Sequence, residues 1–468
     1  MKKKKNIVLQ NVLVEDYAAE GKSLARLDGK VIFIEDAVPG DIVDVRVRKN
    51  KKDWAEGNAF NFHQYSSDRV IPFCEHFGIC GGCQWQMLPY EKQLQYKHKQ
   101  VEDNLKRIGK IPLPVMNSII GAKTTRFYRN KMEYTFGNKR FLLPSELNDP
   151  LISTQQDVAG FHAQGIFDKV VDIRKCHLQA EPTNLVRLLV KEYALENGLS
   201  FYDIRNHQGF LRTMQVRICR TGEIMVNLVF GHDDPSNRIK LLDHILQAYP
   251  SITTLLYTIN EKMNDSLYDL SPKVVHGNGY VTERLEEFQF KIGPKSFFQT
   301  NSEQAERLYQ VTRDFAELKG DENVYDLYCG TGSIGIFVSK KAGKIVGIET
   351  VKEAIADAKE NAALNNIQHA HFFQGDVVDV CDDDFINMHG RPDVVITDPP
   401  RAGMHEKLVQ KIAGMKAPVV VYVSCNPATQ ARDLNMLNDV YDVTAIQPVD
   451  MFPHTHHIEN VVQLKLKK

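Results

Sequence analysis

Four short runs of strand-forming residues, 324–328, 344–348, 394–397 and 419–423, recur in the last third of this chain with helical stretches between them. Parallel strands joined by helical crossovers make a doubly wound α/β sheet that is buried on both faces, and few other folds fit this alternation. The pattern sets in after Lys291. In such a sheet ligands sit beyond the carboxyl ends of the strands. The residues that close each run are therefore where chemistry is expected.

The first run ends in a glycine turn, DLYCGTGSIG from Asp326 to Gly335. Glycines at a strand-to-helix turn let the backbone approach a ligand without an intervening β-carbon. Glu349 closes the second run, 23 residues after Asp326. A carboxylate there can accept hydrogen bonds from the two ribose hydroxyls of a nucleoside cofactor. The turn lacks both the G-x-G-x-x-G of a nicotinamide site and the Lys-Ser/Thr of a phosphate loop, which fits a cofactor without phosphates. S-adenosylmethionine (SAM) is such a molecule. Asp376, in Gln374-Gly375-Asp376, closes a third strand where an adenine would lie; a simple turn aspartate is the alternative.

Asp398-Pro399-Pro400-Arg401 and Ser424-Cys425-Asn426-Pro427 follow the last two runs, so Asp398 and Cys425 are expected on the same edge of the sheet. A lone cytosolic cysteine is more often a small core residue. Asn426 and Pro427 end the strand here, which puts Cys425 at the mouth of a site. A thiolate can add to carbon 6 of a uracil ring, making carbon 5 nucleophilic enough to take a methyl group. A base must then remove the proton from carbon 5 so that the thiolate can leave. Glu459 is the candidate, with His454, His456 and His457 as rivals.

Cys74, Cys80 and Cys83 form a C-x5-C-x2-C cluster among Gly78, Gly81 and Gly82. Three close thiols need a fourth ligand. Cys176 is the best candidate, because Cys329 and Cys425 belong to the cofactor region and Cys219 and Cys381 lie in strand-like or acidic contexts. Four thiolates suit zinc or an iron–sulfur cluster, although a zinc ribbon would carry two C-x2-C knuckles. The formal net charge is -1, yet residues 70–140 hold twelve Lys or Arg against five Asp or Glu. A basic region within a neutral chain is the footprint of a phosphate-binding face. Residues 6–65 read as short strands with a turn at Pro39-Gly40-Asp41. A small oligonucleotide-binding type of barrel follows, with Arg46, Arg48, Lys49, Lys51 and Lys52 on one hairpin.

The lysine-rich start MKKKK is not followed by an apolar segment, so export is not expected. No apolar run approaches the ~18 residues of a membrane-spanning helix. The chain is read as cytoplasmic, with no membrane and no obligate protein partner.

Together these residues resemble the bacterial RNA uracil-5-methyltransferases, specifically the branch acting on 23S ribosomal RNA. The resemblance runs over essentially the full length. Residues 21–57 look like the TRAM domain, an RNA-binding β-barrel, and Cys74, Cys80, Cys83 and Cys176 resemble the ligands of a [4Fe-4S] cluster. Arg126-Phe127-Tyr128-Arg129-Asn130-Lys131 is similar to the family's basic-aromatic segment, which implies RNA contacts for Arg126, Arg129 and Lys131. Phe297-Phe298-Gln299-Thr300-Asn301 resembles the segment whose glutamine contacts SAM. By the same match Tyr328, Glu349, Asp376 and Asp398 belong to the cofactor or active site, with Cys425 the nucleophile and Glu459 the base; Ser333 stands where some members carry asparagine.

The expected fold is α/β multidomain: a TRAM-like barrel over 1–65, a central α+β iron–sulfur domain over 66–280, and a Rossmann-like doubly wound methyltransferase domain over 281–468. The expected product is 5-methyluridine in ribosomal RNA. The alternatives are a transfer-RNA uridine-5-methyltransferase and a non-catalytic RNA-binding or ribosome-assembly factor. Enzymes that methylate exocyclic amines also use Asp-Pro-Pro, but with an aromatic where this chain has Arg401.

Overall fold

The computed structural model describes residues 7–143, 145–147 and 149–468; the lysine-rich start lies outside the described residues. The N-terminal unit has six strands: β1 (Val8–Leu13), β2 (Asp16–Tyr17), β3 (Ser23–Leu27), β4 (Lys30–Glu35), β5 (Ile42–Asn50) and β6 (Trp54–Gln64). Their order is β1-β5-β6-β4-β3-β2. The two outer strands, β1 and β2, are consecutive in the chain, β1 pairing with β5 and β2 with β3. Val12, Ile32, Ile34, Val43 and Val45 fill the interior. The basic cluster lies on the β5–β6 hairpin, but Arg48 and Lys49 are paired with Glu35 and Glu56, so the hairpin is less positive than its composition.

Helix α1 (Tyr90–Asn104) follows the cysteine-rich loop, and a π-helical turn Leu105–Gly109 extends it. The central sheet is β7 (Lys131–Lys139), β8 (Gln155–His162), β9 (Val170–Asp172), β10 (Leu211–Ile218), β11 (Ile224–Phe230), β12 (Thr254–Ile259) and β13 (Lys273–His276). Its order is β13-β12-β11-β10-β7-β8-β9, and only the β11–β12 pair is parallel. Helices α2 (Thr183–Glu196) and α3 (Pro235–Ala248) bury Val186, Val190, Leu241 and Ile245 in the core of this sheet.

A hairpin, β14 (Val281–Leu285) and β15 (Phe288–Ile292), and helix α4 (Ser302–Ala316) lead into the C-terminal sheet. The elements are β16 (Asn323–Leu327), α5 (Ser333–Val338), β17 (Lys344–Glu349), α6 (Lys352–Leu364), β18 (Ala370–Gln374), α7 (Val377–Val380), α8 (Asp383–His389), β19 (Val394–Thr397), α9 (Glu406–Met415), β20 (Val419–Ser424), α10 (Pro427–Leu437), β21 (Tyr441–Val449) and β22 (Glu459–Leu466). The order is β18-β17-β16-β19-β20-β22-β21. The first five strands run parallel, and β22 enters antiparallel beside β20. Val324, Ile345, Ile348, Val395, Ile396, Val420 and Val421 are fully buried. Each such side chain stabilises the sheet by roughly 1.5–3 kcal/mol relative to exposure. The doubly wound arrangement expected from the apolar runs is the one found. It brings the ends of β16, β17, β18, β19 and β20 to one edge.

Candidate active site

At the end of β16 the chain turns through left-handed backbone at Tyr328 (φ 63°), Gly330 (φ 53°) and Gly332 (φ 75°) before α5 begins. A non-glycine residue in this region is uncommon and marks a turn held by its surroundings. Asp326 clamps the turn: Gly335 N–H donates to its Oδ2 at 2.9 Å, and a β-carbon added at Gly335 would lie 2.9 Å from the same oxygen. The other oxygen, Oδ1, is buried and has no partner among the described residues. Burial pushes the Asp326 carboxyl up to about 7, and Asp398 and Glu349 push it the same way. A buried acceptor without a donor calls for one from a ligand.

Glu349 closes β17 with its carboxylate oriented by Gly330 N–H at 3.3 Å, Val351 N–H at 3.0 Å and the Thr350 hydroxyl at 2.9 Å. Tyr328 and Gln299 are half-buried, and the Gln299 carbonyl accepts from Asn130 Nδ2 at 2.9 Å. Asp376 is exposed beyond β18 and caps α7 by accepting from Val378 N–H at 2.8 Å, which is what a turn aspartate does. Its position beyond a strand end is nonetheless on the same edge of the sheet.

Cys425 follows the last residue of β20. Ser424 pairs with Asn460 in the antiparallel β20–β22 ladder, so one step further along that register sets Cys425 opposite Glu459. The thiol is half-exposed and Glu459 is buried. Burial, Glu459 and Asp398 together push the Cys425 thiol up to about 11, while the Arg401 guanidinium opposes them. Burial raises Asp398 to about 7. Burial and then Asp398 raise Glu459 well above the ordinary carboxyl range, with Arg401 again opposing. Two carboxyls and a thiol thus crowd one place, and like charges there favour keeping a proton. Asp398 therefore stands with Cys425 and Glu459, and it also acts on Asp326 beneath the glycine turn.

His454 is buried and His456 and His457 are half-buried, and withdrawal from water is the main cause of their depressed pKa values: about 4 for His454 and His456 and about 3 for His457. Bases that weak at neutral pH are poor rivals to a carboxylate whose proton affinity is raised. Two are already engaged. Gln93 Nε2 lies 3.1 Å from His454 Nδ1, and Arg401 Nη2 lies 2.6 Å from His457 Nδ1. Arg401 is the residue whose part the sequence reading missed. It enters there only as a departure from an aromatic position, yet its guanidinium faces Cys425 and Glu459 while Asn426 Nδ2 donates to its carbonyl at 3.0 Å.

The four cysteines singled out by spacing line one cavity of about 370 Å³, with Arg129, Lys131 and Lys175 also on its wall. Asn184 brackets the Cys176 backbone, its Oδ1 accepting at 2.8 Å and its Nδ2 donating at 3.1 Å. Burial is the largest cause of the raised pKa of each thiol, to about 11 for Cys80 and about 12 for Cys83. Among the described residues no three His, Cys, Asp or Glu side chains converge closely enough to hold a single metal ion. Arg126 is exposed and stacks 3.9 Å over the Phe73 ring; Arg129 lies 5.7 Å from the Phe452 ring. Lys131 is half-buried on the cavity wall.

This arrangement can be set beside known proteins. The family of tRNA (uracil-5-)-methyltransferases matches residues 269–467, and the TRAM domain matches residues 8–60. A protein named as an RNA methyltransferase in Bacteroides thetaiotaomicron is 52% identical over 96% of this chain and 100% of its own length. The chain belongs to the RNA uracil-5-methyltransferase family. A second RNA methyltransferase, from Halalkalibacterium halodurans, is 39% identical over 99% of this chain and 98% of its own. Among solved structures, the tRNA (uracil-54, C5)-methyltransferase of Pyrococcus abyssi, in complex with S-adenosyl-L-homocysteine, superposes with a TM-score of 0.74. It is 29% identical, over 97% of this chain and 100% of that one. The protein is an RNA methyltransferase of the uracil-5 family with an N-terminal TRAM domain.

Proposed function

We propose that this enzyme forms 5-methyluridine in 23S ribosomal RNA through a covalent adduct between Cys425 and carbon 6 of the target uracil. The observation that carries the reading is the strand register that sets Cys425 opposite Glu459 at the carboxyl edge of the sheet. The unpaired Asp326 Oδ1, the glycine turn and the Glu349 carboxylate suit a nucleoside with a cationic tail and no phosphate, and the Pyrococcus abyssi protein was solved with S-adenosyl-L-homocysteine. When bound, SAM supplies the methyl group and leaves as S-adenosylhomocysteine.

The half-exposed Cys425 thiol gives up its proton to solvent and its sulfur adds to carbon 6, pushing the ring electrons towards carbon 5 and the carbonyl oxygen at carbon 4. Arg401 lies where it stabilises the thiolate. After methylation, carbon 5 carries both the new methyl group and its original hydrogen. The Glu459 carboxylate takes that hydrogen as a proton, the carbon 5–carbon 6 double bond re-forms, and the Cys425–carbon bond breaks. Burial, and after it Asp398 alongside, raises the affinity of the Glu459 carboxylate for the proton.

We assign a [4Fe-4S] cluster to Cys74, Cys80, Cys83 and Cys176. A single zinc ion needs its ligands gathered at about 2.0–2.3 Å, whereas a four-iron cluster takes four thiolates distributed around it. Four thiols on the wall of one cavity are the donor set such a cluster takes. Arg126 and Arg129, each next to an aromatic ring, offer contacts to phosphate and unpaired bases.

One observation favours a second substrate: the Pyrococcus abyssi relative, alike over nearly the whole chain, acts on transfer RNA. Mapping 5-methyluridine by mass spectrometry in ribosomal and transfer RNA, with and without the gene, separates the two. For the mechanism, RNA bearing 5-fluorouridine and SAM should give a denaturation-resistant protein–RNA adduct, since fluorine does not leave as a proton. Cys425→Ala should give none and should lower methylation by at least about 1000-fold. Methyl transfer that survives this substitution sinks the proposal.

A further inference from the structure

The chain between β21 and β22, residues 450–458, is held from outside the methyltransferase sheet. Lys97 on α1 is fully buried and donates to Asp450 Oδ1 at 2.6 Å and to the Phe452 carbonyl at 3.1 Å. Asp450 is fully buried too; its Oδ1 also accepts from Phe452 N–H at 3.0 Å and its Oδ2 from the Tyr90 hydroxyl at 2.7 Å. An ion pair withdrawn from water is a weak source of net stability, but breaking it strands a charge. It is therefore suited to fixing one arrangement of the loop rather than to strengthening the fold.

Seven residues beyond Asp450 the same loop presents His457, whose Nδ1 lies 2.6 Å from Arg401 Nη2. Arg401 is exposed; its backbone carbonyl accepts from Asn426 and Thr429, and its guanidinium reaches the Cys425 thiol as well as His457. The groups facing the Cys425 thiol are Glu459 and Asp398, which disfavour its ionised form, and Arg401, which favours it. Losing the placement of Arg401 leaves the two carboxyls unopposed.

We propose that Lys97 is a positioning residue for the reactive cysteine: its ion pair with Asp450 sets the loop so that His457 holds the Arg401 guanidinium beside Cys425. This rests on the role given to Cys425 above. No bond to substrate is made by Lys97, and its influence travels through Asp450, His457 and Arg401 in turn.

The test is the rate at which iodoacetamide alkylates Cys425 in the full-length holoenzyme without RNA, followed by peptide mass spectrometry from pH 7 to 10. In the wild type the thiolate fraction, and with it the rate, should climb about tenfold per pH unit, because the thiol is pushed up to about 11. Lys97→Met and Arg401→Ala should each lower the rate at every pH by a similar factor, roughly fivefold or more. Combined, they should be no slower than Arg401→Ala alone, with SAM affinity unchanged within about twofold. Lys97→Met/Asp450→Asn removes both charges and so avoids the stranded carboxylate; it should fold and share the slow alkylation. A wild-type or faster rate in Lys97→Met, or in that neutral pair, overturns the inference, and so does a Lys97→Met effect that adds fully to Arg401→Ala. Because alkylation needs neither RNA nor methyl transfer, failure of the 5-fluorouridine adduct in the wild type would count against the mechanism separately.

Discussion

Two structures meet at Cys425, and they are built in opposite ways. The carboxyl edge of the parallel sheet collects Tyr328, Glu349, Asp376, Asp398 and Cys425 by topology alone: each closes or follows a strand of its own, and the β16–β20 order does the gathering. The loop 450–458 has no such scaffold. It is pinned by Lys97 and Gln93 from α1, by the backbone N–H groups of Gln84 and Trp85, which donate to the His454 carbonyl at 2.9 and 3.0 Å, and by the Tyr128 hydroxyl on the Pro453 carbonyl at 3.1 Å. One side of the site depends on local sequence, the other on contacts more than 300 residues apart along the chain. Damage to the first should be confined to one function, and damage to the second should spread.

The sharpest way to break that contrast is Cys83→Ser. Cys83 precedes Gln84 and Trp85 directly, so loss of a group held by the four thiols should loosen the loop as well as the cavity. Iron should fall from about four per chain to near none, with adduct formation at Cys425 falling alongside it and SAM binding by calorimetry unaffected. A variant that loses iron yet forms adduct at the wild-type rate would separate the cavity from the loop. Glu349→Ala should do the reverse: it removes hydrogen bonds made by a charged group, and SAM affinity should drop by about 10–100-fold while iron content and RNA affinity stay put. The smallest effect belongs to Arg126→Ala/Arg129→Ala. Removing two phosphate contacts should flatten the dependence of log K on log salt by roughly 1.4–1.8 and weaken RNA binding at low salt. An unchanged slope would show that neither arginine touches phosphate.

The same contrast explains what could be read from sequence. Strands β16, β17, β19 and β20 coincide closely with apolar runs because a parallel strand buried on both faces is mostly apolar, a signal carried within four to six residues. Cys425 and Asp398 were legible because proline and asparagine end those runs. Nothing local marks Lys97; that it is buried against Asp450 depends on α1 packing against the C-terminal unit, which no local pattern encodes. Arg401 was visible as an oddity in Asp-Pro-Pro-Arg, but its meaning requires His457, 56 residues away. The charge of residues 70–140 was read as an RNA face, yet Lys97 and Lys131 belong to the interior or to a cavity wall. Counting charges does not reveal which of them are exposed.

The turn between β2 and β3 carries one more consequence. Gly21 (φ 73°) lies so close to His456 that an added β-carbon would be 2.7 Å from the histidine's own, and the Gly21 carbonyl accepts from Trp85 Nε1 at 3.4 Å. The small barrel is thus not a handle bolted to the outside of an autonomous enzyme. Trimming it away would uncover His456, and a barrel borrowed from another protein would have to bring a glycine to that same spot.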